Sequence, residues 1–396
     1  MILEKEVSSL IVGHYVVEIK QQNGKLKLQS PSHIKSTAVI QNLSSKGVIT
    51  VLIDDEKTIV DQLDNMRAII NEPPTQLSKN ELTPEKLQSA KLVLTESKVI
   101  LNKVFSDAKN GCDLALEPIL EMTNKSVDAI FNNIDSLSCI VSIRKKSEYL
   151  LEHSISVSIY LSIFSSYLNI DKTIAYEMSI GAFLHDVGKI MVPDEILNKP
   201  DKLTDNEFFI MKTHANHSAD IIKHIKGISN LSYEVAAFHH EKLDGTGYPF
   251  KLKADKISKY CRMMNICDIF DALTANRCYK DGYTHFKAFT ILRSLAKGNN
   301  HLDSELVEHF INAIGVYPVG SLVQLNSNKI AIVERRNKSD SFKPGVRFFF
   351  NPEKHEYQKT EEIDLSHSDD FIVKGVKASD LDLDMDDVIE FLTKRA

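Results

Sequence analysis

The chain has 396 residues, of which 43% are hydrophobic and 26% are charged, and its formal net charge is −6. This length predicts two or three globular domains, each with its own apolar core. The acidic balance and the lack of a long basic run argue against a polymeric nucleic-acid partner, because phosphate neutralisation needs clustered Lys and Arg. The charge balance does not argue against a small phosphate ligand, which needs only two or three cationic side chains.

The sequence predicts a cytoplasmic protein with reduced thiols. No run of eighteen apolar residues occurs, so we expect no membrane span. The first six residues lack the charged and apolar regions of a signal peptide. The five cysteines are odd in number and contain no Cys-x-x-Cys pair, which argues against disulfides and against a zinc knuckle.

Residues 1–70 are predicted to form a small α+β module. The β-branched runs at 14–19 and 47–54 are bounded by turn-forming residues, as strands are. Residues 71–84 follow as a polar, proline-bearing linker.

Residues 85–316 are predicted to form a helical domain, because apolar residues recur there at spacings of three and four. Thr204 and Glu207 form a capping-box pattern, so a helix carrying His214 is predicted to begin there. The apolar helices at about 85–145 are long enough to pair with a second copy in a homodimer, although packing within one chain explains them equally well.

Residues 317–396 are predicted to form a β-rich extension. A hairpin is expected over 321–333, with its turn at 326–328, and a third strand over 346–350. The acidic tail at 361–387 is interpreted as a solvated cover. The predicted fold class is therefore mainly α, with a helical domain flanked by a small N-terminal α+β module and a C-terminal β-rich extension.

One adjacent pair, His185 and Asp186, follows an apolar run and precedes Val-Gly-Lys189. Imidazole and carboxylate together suit Mn, Fe or Zn. Alone, such a pair could equally end a buried helix. Its neighbourhood favours a metal site, since seven of the fourteen histidines lie between 153 and 240: His153, His185, His214, His217, His224, His239 and His240.

A site for two metal ions needs several ligands, some of them carboxylates. The adjacent His239 and His240 would project about 100° apart on a helix and could reach different ions. Asp268 lies in an apolar helical stretch, where an unpaired carboxylate would be costly. His217 could compete with His214. Asp271 is expected to pack between helices or to support a ligand, rather than to be a ligand itself.

The order and spacing of these residues resemble the HD-GYP family, a bacterial branch of the HD metal-dependent phosphohydrolases. The resemblance covers about residues 145–315. It rests on the string His185-Asp186-Val187-Gly188-Lys189, on Met211-Lys212-Thr213-His214, on His239-His240-Glu241 with Gly245-Thr246-Gly247-Tyr248-Pro249, and on Asp268-Ile269-Phe270-Asp271. Residues 1–70 resemble, more loosely, a domain of unknown function often found before HD-GYP domains.

This resemblance implies hydrolysis of cyclic di-GMP to linear pGpG, and in some members to GMP, by a hydroxide held between two metal ions. It implies catalytic roles for Lys189 and Asp186, a phosphate clamp at Arg277 and Lys280, and a pocket wall at Gly247, Tyr248 and Pro249. The implied metal ligands are His153, His185, Asp186, His214, His239, His240 and Asp268.

The resemblance also guides the choice of cofactor. Members with three metals carry a glutamate four residues before the first histidine, where this chain has Tyr149, so we expect two divalent ions. Iron or manganese is favoured, and nickel and zinc stay open. Two alternatives remain: a phosphodiesterase for 3'3'-cyclic GMP-AMP, and a catalytically silent sensor of cyclic dinucleotides. The complete ligand set argues against the sensor.

Overall fold

The structure is a computed structural model. It describes residues 2–10, 14–26, 28, 30–34, 37–54, 84–132, 137, 149–275, 282–298, 300–337, 340, 342–384, 387–388 and 391. The chain divides into two compact units, Met1–Pro73 and Pro74–Ala396. Every helix in the described ranges is too short or too polar to cross a membrane.

The first unit contains a four-stranded antiparallel sheet and one helix. The strands are β1 (Ile2–Glu6), β2 (Tyr15–Gln22), β3 (Ser32–His33) and β4 (Val48–Asp54), in the order β1-β4-β2-β3, and the helix is α1 (Thr37–Ser45). Alternate residues of β4, such as Val51 and Ile53, are fully buried in its core. This arrangement confirms the predicted α+β character.

The second unit is built around α-helices, which confirms the predicted mainly α class. Those in the described ranges are α2 (Pro84–Lys109), α3 (Glu117–Asn132), α4 (Tyr149–Tyr167), α5 (Lys172–Leu184), α6 (Asp194–Leu197), α7 (Asp205–Lys223), α8 (Asn230–Ala237), α9 (Lys259–Thr274), α10 (His285–Lys297) and α11 (Ser304–Ile314). A short 3-10 helix spans Val187–Met191.

Helix α4 lies at the centre of this bundle and contacts α2, α3, α5, α9 and α11. Its Tyr160 and Phe164 pack edge-on against Phe310 of α11, and Tyr160 also packs against Phe270 of α9. Helix α2 contacts both α4 and the 3-10 helix. Across the first of these contacts, Lys98 Nζ lies 2.5 Å from the buried Glu152 Oε1. The helices at 85–132 therefore pack within the chain, and the homodimer stays a prediction.

Helix α7 begins where its sequence predicts. The Thr204 side chain accepts a hydrogen bond from the Glu207 backbone N–H, and the Glu207 carboxylate accepts one from the Thr204 N–H at 2.7 Å. This reciprocal capping box satisfies two of the backbone donors that the first turn of a helix leaves open. It fixes the helix that carries His214.

A five-stranded antiparallel sheet follows the helices. Its strands are β5 (Leu322–Leu325), β6 (Ile330–Arg335), β7 (Gly345–Asn351), β8 (Glu356–Asp364) and β9 (Ile372–Val376), in the order β8-β7-β6-β5-β9. The β5–β6 pair is the predicted hairpin and β7 is the predicted third strand. Interpreting 361–387 only as a solvated cover was incomplete, because this range holds the end of β8 and all of β9. The predicted domain limits at 70, 84 and 316 stay predictions.

Candidate metal centre

The seven predicted metal ligands come from five separate parts of the second unit. His153 lies in the second turn of α4, and Asp268 lies on α9. His185 ends α5, with Asp186 directly after it, and His214 lies on α7. The structure brings all seven together, and all but the half-buried His240 are buried. The backbone beyond α8 supplies the tandem pair His239 and His240.

Their ligand atoms form two neighbouring clusters, and a third group, His185, Asp186 and His239, spans them. One consists of His153, His185 and Asp268, and the other of His214, His239 and His240; in each, the candidate ligand atoms lie within 4.8 Å of one another. Within the second, His240 Nε2 is 3.1 Å from His214 Nε2. Such spacing suits several ligands of a single ion, so each of these clusters could hold a cation.

Asp186 lies between the two clusters. Its Oδ1 is 3.5 Å from His214 Nε2 and 3.9 Å from His239 Nε2. Its Oδ2 is 3.3 Å from His185 Nε2 and 3.5 Å from His153 Nε2. Because each oxygen faces a different set of imidazoles, this one carboxylate links the two clusters.

Backbone carbonyls fix the orientation of three of the imidazoles. His185 Nδ1 lies 2.6 Å from the Ala182 carbonyl oxygen, and His214 Nδ1 lies 2.6 Å from that of Met211. His239 Nδ1 makes the same contact with a carbonyl three residues earlier, at 2.5 Å. A carbonyl oxygen only accepts hydrogen bonds, so each Nδ1 carries the hydrogen and the neutral ring keeps its lone pair on Nε2. These lone pairs point into the site.

Asp271 performs the corresponding task for His153. Its Oδ2 lies 2.7 Å from His153 Nδ1, and both residues are buried. The other ring nitrogen of His153, Nε2, lies 3.1 Å from Asp268 Oδ1. Asp271 thus contacts the far side of a candidate ligand, where a carboxylate both orients the imidazole and increases its basicity.

The electrostatics of the site favour neutral imidazoles beside anionic carboxylates. Burial lowers the pKa of His214 to about 4 and that of His239 to about 3. His153 is the exception: burial opposes its charge, but hydrogen bonds to Asp268 and Asp271 raise its pKa to about 9. Burial also opposes the charge of Asp186, yet His185 and Lys189 hold the pKa of that carboxyl well below its usual range.

Two buried atoms of the site lack a hydrogen-bond partner among the described residues: His185 Nε2 and Asp186 Oδ1. Leaving a buried polar atom unpaired costs about 1–3 kcal/mol. Both atoms are good ligands for a divalent cation of the first transition row. The residues present therefore fit a metal-binding role.

Lys189 and Gly188 complete the surroundings of Asp186. The Lys189 ammonium lies 2.5 Å from Asp186 Oδ2. A Cβ added to Gly188 would lie 2.3 Å from the His214 carbonyl oxygen and 2.3 Å from the Ser218 backbone nitrogen. Only glycine lets the 3-10 helix approach α7 this closely, so this contact sets the position of Asp186 relative to His214.

The predicted pocket wall follows the tandem histidines. The Tyr248 ring packs against the His240 ring with centroids 4.6 Å apart. The buried Glu241 carboxylate accepts hydrogen bonds from the Phe250 N–H at 2.6 Å and the Leu252 N–H at 2.8 Å. A Cβ on Gly247 would meet the backbone of Glu241 at 2.5 Å. These hydrogen bonds to Glu241 therefore fix the position of the segment that carries Tyr248 beside the metal site.

Other predicted residues are placed differently. His217 is in none of the ligand clusters formed by the described residues. Arg277 and Lys280, the predicted phosphate clamp, lie outside the described residues. Tyr149 begins α4, four residues before His153. Sequence reasoning missed the anchoring role of Glu241, although this residue directly follows the tandem histidines.

Comparison with protein families matches both parts of the chain. The family described as HD domain matches residues 137–306. The family described as a domain of unknown function (DUF3391) matches residues 4–119, a range that extends into α2 and α3. These matches confirm the resemblance predicted from the motifs.

Three relatives each match more than half of this chain. A cyclic di-GMP phosphodiesterase from Pseudomonas aeruginosa is 33% identical over 267 residues, covering 67% of this chain and 64% of that protein. A cyclic di-GMP phosphodiesterase from Thermotoga maritima is 30% identical over 235 residues, covering 58% and 63%. A 3'3'-cGAMP-specific phosphodiesterase from Vibrio cholerae is 32% identical over 229 residues, covering 52% and 44%.

The chain spans less than two thirds of the length of each of these three relatives. Within the HD domain match it carries the paired His185 and Asp186, the tandem histidines and the Gly247-Tyr248-Pro249 string. This chain therefore combines an HD domain with DUF3391 ahead of it, and its motifs resemble those of the HD-GYP branch.

Proposed function

We propose that this chain is a metal-dependent phosphodiesterase that hydrolyses cyclic di-GMP to linear pGpG, and further to GMP if the linear product can re-enter the site. The observation that carries this proposal is the placement of Asp186, whose two oxygens face two separate imidazole clusters. A phosphodiester needs a nucleophilic water and charge neutralisation, and such a divided site can supply both.

Two divalent cations, iron or manganese by family resemblance, would be held by the described ligands. His153, His185 and Asp268 would hold one, and His214, His239 and His240 the other, with Asp186 shared between them. When bound, the cations lower the pKa of a water molecule towards neutrality and stabilise charge on the phosphate oxygens. Nickel and zinc also suit this set of nitrogen and oxygen donors.

The chain's own residues would position the reacting groups. The Lys189 ammonium, 2.5 Å from Asp186 Oδ2, can neutralise charge that develops on the phosphate or protonate the departing 3′ oxygen. Burial, with Asp268 and Asp186 nearby, raises the pKa of Tyr248, so its phenol stays neutral and forms a wall beside His240. Arg277 and Lys280 are expected to bind phosphate oxygens by charge-assisted hydrogen bonds.

A second substrate deserves the same test. The relative from Vibrio cholerae is named for 3'3'-cGAMP, and it matches this chain at an identity similar to that of the cyclic di-GMP relatives. The metal site acts on the phosphodiester, which the two dinucleotides share. The choice between guanine and adenine would be made by contacts with the bases.

The deciding experiment is hydrolysis of cyclic di-GMP and 3'3'-cyclic GMP-AMP in parallel by the purified chain, with Mn and Fe supplied separately. We expect turnover of cyclic di-GMP, and we expect Asp186→Asn to abolish it while the variant stays folded by circular dichroism. Exposed Asp255, replaced in Asp255→Asn, is the matched control. Preference for the mixed dinucleotide would leave the proposed metal site intact and change the proposed substrate. Binding without turnover would refute the proposed enzymatic activity.

A further inference from the structure

Lys212 lies on α7, two residues before His214, and its ammonium lies between two aromatic rings. Its Nζ is 4.7 Å from the centroid of the Phe208 ring and 5.8 Å from that of Tyr248. The Tyr248 ring in turn contacts the His240 ring. These residues therefore form a continuous row that leads from an exposed phenylalanine to the metal site. We call Phe208, Lys212 and Tyr248 the aromatic–lysine row.

The half-buried Lys212 has no ion-pair partner among the residues that the structure describes. Two other half-buried lysines near the site are paired: Lys189 with Asp186, and Lys199 with Glu207 at 2.6 Å. An aromatic face attracts an ammonium group within about 6 Å of its centroid. It leaves the directional N–H bonds of that group available. The two rings thus hold a cation in place without neutralising its charge.

Phe208 leaves 47% of its surface exposed at the outer end of the row. An exposed aromatic face is a platform on which any nucleobase can stack. The row therefore combines an anion-binding cation with a stacking surface, next to a site suited to a phosphodiester. This combination matches a nucleotide better than it matches inorganic phosphate or a peptide carboxylate.

We propose that Lys212, held between Phe208 and Tyr248, binds the second phosphate of the cyclic dinucleotide, the one that is not being cleaved. This inference rests on the proposed function and extends it. A cyclic dinucleotide carries two phosphates in one closed ring, so when one lies at the metals the other stays near the same pocket. Lys212 is held beside the metal site through Tyr248, and no acidic residue that the structure describes pairs with its charge.

The test compares Lys212→Met, Lys212→Arg and the control Lys223→Met, which removes an exposed lysine at the other end of the same helix. Methionine keeps an apolar stem against Phe208 and removes the charge. Losing a charge-assisted contact with phosphate should raise the KM for cyclic di-GMP about tenfold or more, with a smaller change in kcat. Lys212→Arg should restore most of the affinity, and Lys223→Met should behave as wild type.

A diester with a single phosphate separates the second-phosphate role from a role at the metals. Hydrolysis of bis(p-nitrophenyl) phosphate should be equal in wild type and Lys212→Met, because this substrate has no second phosphate. An unchanged KM for cyclic di-GMP would overturn the inference. Equal losses on both substrates would also overturn it, because Lys212 would then act on the cleaved phosphate or on the metal site.

Binding distinguishes failure of this inference from failure of the proposed function. If wild type hydrolyses neither cyclic dinucleotide, the proposed function fails, and the dissociation constant for cyclic di-GMP measured by calorimetry then decides the role of Lys212. Binding at least about tenfold weaker in Lys212→Met than in Lys223→Met supports the contact. Equal affinities of these two variants overturn it.

Discussion

Replacing Asp271 tests whether the contact behind His153 supports metal binding. The buried Asp271 Oδ2 lies 2.7 Å from His153 Nδ1, while His153 Nε2 faces Asp268 and the metal site. Asp271→Ala removes the acceptor, so the imidazole loses the partner that sets its orientation. In Asp271→Asn an amide oxygen can still accept the hydrogen bond, but the negative charge is gone.

The expected magnitude follows from this geometry. A buried hydrogen bond to a charged group contributes about 1.5–3 kcal/mol, and losing such a partner of a metal-bound histidine weakens metal binding about 10–100-fold. Asp271 also helps to keep a proton on His153 in the metal-free protein, since it contributes to raising the pKa of that residue to about 9. Without Asp271, a proton competes less strongly with the metal for His153, which offsets part of the loss. We therefore expect metal binding about tenfold weaker for Asp271→Ala, and a smaller loss for Asp271→Asn.

The assay is competition for Mn between the protein and a chelating dye, with Asp255→Ala as the control for loss of an exposed carboxylate. Thermal unfolding of the metal-free proteins shows whether each variant is folded. If folded Asp271→Ala and Asp271→Asn both bind Mn as tightly as the control, the supporting role of Asp271 is refuted.

Three further predictions concern packing around the site. Gly188→Ala should lower the free energy of unfolding by about 1–3 kcal/mol, because the new Cβ would overlap the backbone of α7. The control Gly375→Ala should unfold like wild type, because no atom lies within 4 Å of the added Cβ. Glu241→Gln turns one of the two carboxylate acceptors into a donor that faces a backbone N–H. Thermal unfolding should therefore show a free energy of unfolding that is about 1–3 kcal/mol lower, whereas Glu195→Gln, at an exposed position, should unfold like wild type. At pH 8, iodoacetamide should modify exposed Cys112 and leave Cys261 unmodified until denaturant is added, because burial raises the pKa of the Cys261 thiol to about 11. Alkylation of Cys261 before denaturant is added, detected by mass spectrometry, would contradict this.

The sequence allowed the site to be predicted where side-chain identity carries the chemistry. Metal coordination needs imidazoles and carboxylates, so the spacing of His185, Asp186 and the tandem histidines was informative before any fold was known. The start of α7 was predictable for a similar reason, since a capping box is a local exchange between Thr204 and Glu207.

Other features could not be read from side-chain identity. Any residue offers a backbone carbonyl, so nothing marks Ala182 or Met211 as the group that orients a histidine. Strand β8 was missed because most of its residues are polar or charged, as is common on the edge of a sheet, and this hides the alternation of a strand. The Lys98–Glu152 pair joins residues 54 positions apart, so only the tertiary structure reveals it.

The position of α2 leads us to expect that the region matched by the HD domain family does not fold stably on its own in this chain. A fragment limited to residues 137–306 would lack α2, and Glu152, beside His153 on α4, would lose the contact with Lys98 that neutralises it in the interior. It would also end inside α11 and remove Phe310 from the aromatic core around Phe270. The smallest excisable part expected to keep the metal centre runs at least from α2 through α11, so truncation studies should place their ends outside those helices.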